Sequence, residues 1–191
     1  MKGELKLKAG ENLAPIRNQM MDLIEPNSNV IEFGCGNGDL LFKLSPQIKS
    51  GLGIDKSKTL IDYATNQKKK KDISNVDFLC EELGDHYKPS GTYDFSIASL
   101  FFHVIPMSES VYLLNNMKEI SNNILICAFS HPETLQQKFL LWLDQRVSSH
   151  YRNFTAYQKY GYLEGILAET QCSNIVTYDT FIPFIKIFKV N

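Results

Sequence analysis

Between residues 29 and 129, short runs rich in β-branched and aromatic residues alternate with longer stretches whose apolar positions recur every three or four residues. The runs 29–34, 51–55, 75–80, 93–99 and 123–129 are almost continuously apolar, the pattern of strands covered on both faces. Helical periodicity fills intervals at 39–48, 57–70 and 108–120. A strand–helix series of this kind predicts an α/β fold with parallel strands and right-handed crossovers. The ends read differently. Residues 12–24 predict a leading helix with Pro15 in its first turn, closed by EPNSN. A polar and aromatic segment follows the fifth strand, then a helix at 162–169. Two β-rich runs, 174–180 and 181–190, lie close enough to form an antiparallel hairpin, with Pro183 suited to a strand start.

At 191 residues the chain suits one domain, and no Pro-, Gly- or Ser-rich stretch divides it. Its 43% hydrophobic and 21% charged residues are those of a globular protein. A formal net charge of -1 gives no overall pull toward nucleic acid or an anionic membrane, so binding to either would need a local patch. The run Lys68–Lys71 reads as a solvated helix end. No apolar run has the length of a membrane span, and MKGELKLKAG lacks the apolar core of a secretory signal, which makes the cytoplasm the expected location. Cys35, Cys80, Cys127 and Cys172 form no CxxC pair and are expected to be buried free thiols, with no metal implied.

The stretch VIEFGCGNGDL places Gly34, Gly36 and Gly38 after a strand and before a helix. Glycine there permits a tight turn and lets a ligand approach the backbone without Cβ atoms in the way. The helix opening near Asn37 adds unpaired N–H groups suited to an anion. Asp55 ends the next strand, where doubly wound folds place an acid against the ribose hydroxyls of an adenosine ligand.

The spacing is E-x-G-x-G-x-G from Glu32, with Asp39 where a dinucleotide fingerprint has its third glycine. It resembles the first motif of class I S-adenosylmethionine (SAM)-dependent methyltransferases. GLGIDKS, VDFLCEEL and YDFSIASLFFHVIP are similar to the second, third and fourth motifs of that family. EISNNILI departs from the glycine pair common before the fifth strand. The resemblance implies a doubly wound, Rossmann-like three-layer α/β sandwich with a mostly parallel seven-stranded sheet and a C-terminal antiparallel hairpin. It also implies SAM as cofactor, with S-adenosyl-L-homocysteine as product. Four parts follow: an N-terminal helical extension at 1–28, a cofactor core at 29–129, a substrate lid at 130–162, and a final helix and hairpin at 163–191.

By the same resemblance, Glu32 and the Gly34 backbone face the methionine amino end, Asp55 the ribose, and Glu82 with Leu83 the adenine, Glu81 standing in reserve. Phe33, Cys35, Gly36, Gly38, Lys56, Leu60 and Ser99 complete the cofactor lining. His103 follows the fourth strand near the emerging methyl group, as a general base, an acceptor contact or a packed histidine. Phe102, His150, Tyr151, Arg152 and Tyr157 are the acceptor candidates. The segment that holds the last four is either an aromatic lid with Arg152 as a carboxylate anchor, or an amphipathic helix with its aromatics in the core. SLFFH lacks the N-P-P-Y type sequence of amide- and adenine-nitrogen methylation. The expected reaction is methyl transfer to a small-molecule acceptor, without nucleic acid or membrane as partner. RNA or protein methylation, a non-catalytic SAM-binding role and an NAD-dependent oxidoreductase are the rivals.

Overall fold

The apolar runs of the sequence form one seven-stranded sheet in the order β3-β2-β1-β4-β5-β7-β6. In a computed structural model, residues 13–83, 89–146 and 150–191 are described. Asn12, the segment MKGELKLKAG and residues 147–149 of the expected lid lie outside them. Strands β1 (Asn29–Phe33), β2 (Ser50–Asp55), β3 (Val76–Cys80), β4 (Tyr93–Ser99) and β5 (Ser121–Phe129) pair in parallel. β7 (Ile185–Val190) runs antiparallel to β5 on one side and to β6 (Ile175–Asp179) on the other. This is the expected α/β architecture, hairpin included. Val30, Ile31 and Phe33 on β1, Ile54 on β2, and Phe95 and Ile97 on β4 are buried at the centre of the core.

Helices α1 (Ala14–Met21), α2 (Asp39–Leu44), α3 (Lys58–Lys70), α4 (Met107–Ile120), α5 (Leu135–Arg146), α6 (Tyr151–Lys159) and α7 (Tyr162–Glu169) complete the fold. α2 ends four residues before the expected Ile48. Pro46 has no N–H to offer the Phe42 carbonyl, and Ser45 Oγ donates to that oxygen instead at 2.9 Å. β7 starts at Ile185 rather than Phe181, because Thr180 Oγ1 accepts the Ile182 N–H and donates to the Ile185 carbonyl, shaping a turn through Pro183. The segment after β5 contains two helices: α6, which matches the amphipathic-helix alternative of the sequence, and α5, which the sequence showed only as part of a polar and aromatic stretch.

One expectation is corrected. Cys35 and Cys127 are buried, but Cys80 is exposed and Cys172 is half-buried. Cys80 ends the edge strand β3, which among the described residues has no outer neighbour, and Cys172 lies in the turn that leaves α7.

β1 sits where the strand order reverses, with β2 and β3 to one side and β4 to the other. The carboxyl ends of β1 and β4 diverge there into separate loops, which opens a crevice at that edge of the sheet.

Candidate functional site

The glycine loop leaves β1 at this crevice. Gly34, Gly36 and Gly38 have φ of 71°, 56° and 78°, the left-handed region in which a side chain is strained. A Cβ at Gly34 would collide with the Phe101 ring at 2.1 Å, and one at Gly38 with the Phe78 ring at 2.5 Å. A Cβ at Gly36 would meet nothing within 4 Å. Two of the glycines are therefore required by packing, whereas the third faces open space.

Hydrogen bonds fix the loop to β2. The Ile54 carbonyl accepts the N–H groups of Gly34 and Cys35 at 2.8 and 3.0 Å. Asp55 Oδ2 accepts the Gly36 N–H at 2.9 Å, while Oδ1 accepts the Ser57 N–H at 2.8 Å. Each oxygen keeps a free lone pair for a hydroxyl donor. Lys56 and Glu82 are exposed and stand 3.8 Å apart. Leu83 is buried and Leu60 half-buried. The Glu81 N–H donates to the Asp55 carbonyl at 3.2 Å, which holds the segment after β3 beside the end of β2. Thus Gly36, Asp55, Lys56 and Glu82 gather on one rim.

Glu32 is 3% exposed, and its Oε2 has no hydrogen-bond partner. Burial raises its pKa to about 8, against a partial downward pull from Arg17. Arg17 comes from α1 and lies 3.3 Å from Asp39, which also pairs with Lys43 at 3.1 Å. The first turn of α2 is thus already balanced by Asp39. Phe33 is fully buried beneath the loop, and the Cys35 side chain is buried as well, which holds its thiol protonated.

On the β4 side, Ser99 is half-buried and Leu100 takes a φ of 51°, its N–H donating to the Cys127 carbonyl at 2.7 Å. This bend carries Phe101 over Gly34. Phe102 is fully buried. The His103 ring packs edge-on against Phe129 with centroids 4.7 Å apart, and lies 6.3 and 6.4 Å from Phe154 and Tyr157. Burial, with a smaller contribution from His150, lowers the His103 pKa to about 3. A general base works best with a pKa near the working pH, and burial holds this ring well below it.

The acceptor candidates separate. Tyr157 is fully buried, and its hydroxyl donates to the Phe129 carbonyl at 2.6 Å. Phe154 is buried beside it, whereas His150, Tyr151 and Arg152 are exposed. α6 is therefore amphipathic with two aromatics in the core. Tyr151 and Arg152 instead line a shallow depression with Thr155, Ala156 and Lys159 on its outer surface.

Two members of the site escaped the sequence reading. Phe101 lies inside the fourth motif, yet its packing on Gly34 depends on the Leu100 bend. Arg17 sits far from the motifs in the chain, and nothing in its neighbours signals the approach to Asp39 and Glu32.

The methyltransferase domain family matches residues 24–177. The chain belongs to that family, in its class I SAM-dependent form. A putative methyltransferase of Invertebrate iridescent virus 6 is 30% identical over 110 residues, 55% of this chain and 38% of the viral protein. The nocamycin O-methyltransferase of Saccharothrix syringae is 24% identical over 101 residues, 50% of this chain and 36% of that enzyme. The chain thus spans well under half the length of these relatives. Among solved structures, an O-methyltransferase family protein from Burkholderia thailandensis superposes with a TM-score of 0.73 at 14% identity, over 94% of this chain and 55% of that one. A SAM-dependent methyltransferase from Aquifex aeolicus gives 0.65 at 17% identity, over 91% and 88%. These likenesses support the fold.

Proposed function

We propose that this chain transfers a methyl group from SAM to a small-molecule acceptor by in-line displacement. The observation that carries the reading is the combination at the crevice: a buried Glu32 with one bare carboxyl oxygen, beside a Gly36 open on its outer side and tied to Asp55. A cationic amino group would satisfy the bare oxygen, and the ribose diol would fit the remaining lone pairs of Asp55. These residues suit SAM.

In this reading Glu32 and the Gly34 backbone hold the amino-acid end, and Asp55 the sugar. Glu82 and Leu83 border the adenine, with Lys56 and Leu60 alongside. Phe33, Cys35, Gly38 and Ser99 shape the floor and the β4 wall. When bound, SAM supplies a methyl group already activated by its sulfonium charge. The remaining task of the chain is alignment and exclusion of water. Phe101, above Gly34, and the aromatic group of His103, Phe129 and Phe154 form the apolar side from which water is kept. In this reading His103 does not act as the base, so the acceptor arrives with an available lone pair or loses its proton to another group or to solvent. A small acceptor fits the insertion after β5, which among the described residues is only two short helices.

Calorimetric titration with SAM, S-adenosylhomocysteine and NADH tests the cofactor reading: the first two bind and the third does not. Methyl transfer to a metabolite panel then tests turnover. Binding without transfer to any of them would favour a non-catalytic role, and NADH binding alone would overturn the reading.

A further inference from the structure

α5 is built inside out. Its buried positions include Leu141, 1% exposed, and Gln145. Leu135, Phe139 and Leu143, spaced at i, i+4 and i+8 on one stripe, are 84, 59 and 50% exposed. Leu140 and Trp142 flank the stripe and are also exposed. A helix on a globular domain ordinarily turns such a stripe toward the core, and a contiguous apolar patch left outside marks a binding surface. The neighbouring α6 adds exposed Tyr151, and Tyr160 just beyond its end is exposed too.

The charges on these two helices identify the partner. Across residues 135–159 the chain carries Lys138, Arg146, Arg152 and Lys159 against Asp144 alone, although its formal net charge is -1. Arg146 lies over the Trp142 ring at 4.8 Å, and Phe139 stacks on the same ring at 5.9 Å. Leucine, phenylalanine and tryptophan on one face, with Lys138 at its edge and Arg146 at its C-terminal end, is the composition of a helix that lies in the interface of an anionic bilayer. This is the local patch that the overall charge alone does not supply.

We propose that α5, with the outer surface of α6, docks on an anionic lipid surface, the stripe Leu135–Phe139–Leu143 entering the headgroup region. α6 packs against the end of β5 and the segment that follows β4, through Phe154 with Phe129 and with His103. A docked α5–α6 face would therefore bring the carboxyl edge of the sheet, where the candidate site lies, close to the bilayer.

Trp142 is the single tryptophan of the chain and reports directly. Vesicles of phosphatidylcholine with a minor fraction of phosphatidylglycerol should co-sediment the full chain and move its emission to shorter wavelength. Binding should be roughly tenfold weaker to phosphatidylcholine alone, and similarly reduced by added salt. Phe139→Ser with Leu143→Ser, and separately Lys138→Gln with Arg146→Gln, should each weaken binding by about the same factor while leaving SAM affinity unchanged. Absence of binding to the anionic vesicles would overturn the proposal. So would equal binding to neutral and anionic vesicles. An emission shift that appears without lipid as protein concentration rises, with a dimer in sedimentation, would assign the face to a second copy instead. None of these readouts depends on methyl transfer.

Discussion

The carboxylate of Asp55 is bonded to the backbone of Gly36, its Oδ2 accepting the Gly36 N–H at 2.9 Å while Oδ1 holds Ser57 at 2.8 Å. One side chain thereby joins the loop after β1 to the turn after β2. The same acid is the proposed ribose acceptor, so it shapes the site before any ligand arrives.

Asp55→Asn should lower SAM affinity at least tenfold and stability by about 1–3 kcal/mol, because the amide turns a donor toward a backbone N–H. Calorimetry and urea unfolding report the two effects. An Asn variant with unchanged affinity would remove Asp55 from the site.

Gly36 and Gly38 should respond differently to alanine. Gly38→Ala meets the Phe78 ring and should destabilise the chain by several kcal/mol, on the order of a badly overpacked core position. Gly36→Ala meets no neighbour and should cost about 1 kcal/mol for its left-handed backbone. Its larger effect should fall on SAM affinity, since the new methyl group projects where the ligand is placed. Equal losses of stability in the two variants would contradict this division.

Glu32 keeps its proton to about pH 8 in the fold, against 4.5 ordinarily. The folded chain then binds a proton that the unfolded chain has released, so this contribution is fully present below pH 4.5 and is lost as pH rises to about 8. The interval corresponds to a change on the order of 5 kcal/mol. Urea midpoints of the ligand-free protein should fall across it, and Glu32→Gln should flatten the dependence. In Arg17→Gln the fall should begin at the same pH and extend further upward, because the opposing cation is gone. A Glu32→Gln profile as steep as that of the parent would refute the assignment.

His103 has the opposite sign. Its pKa is lowered from 6.5 to about 3, so the folded chain refuses a proton that the unfolded chain accepts. Its contribution is complete above pH 6.5 and disappears as pH falls to about 3. His103→Phe should reduce the acid sensitivity and retain most turnover. A loss of turnover near the loss expected for a missing base, about a hundredfold or more, would restore the catalytic role.

Tyr157→Phe should cost about 1–2 kcal/mol, since the Phe129 carbonyl loses a buried donor at 2.6 Å. Thermal unfolding measures this, and acceptor KM should not change. A raised KM with unaltered stability would return Tyr157 to the acceptor site.

Much of the fold was legible because its signals are local. Nearly continuous apolar runs marked the parallel strands, and the three glycines marked a loop that needs left-handed backbone. The boundaries that shifted did so through bonds that periodicity does not record, such as Ser45 Oγ replacing the N–H that Pro46 lacks at the end of α2. The cysteines showed the same limit: an apolar neighbourhood in sequence did not bury Cys80, because β3 lies at the sheet edge.

By itself, the sequence determined the alternation of elements, the glycine spacing and the position of Asp55 at a strand end. Those depend on backbone sterics and on the periods of strand and helix. Only the tertiary structure decided the strand order, the bare buried oxygen of Glu32 near Arg17, the aromatic packing that keeps His103 neutral, and the outward stripe of α5. Burial and electrostatics are set by which elements meet, and those meetings join residues far apart along the chain.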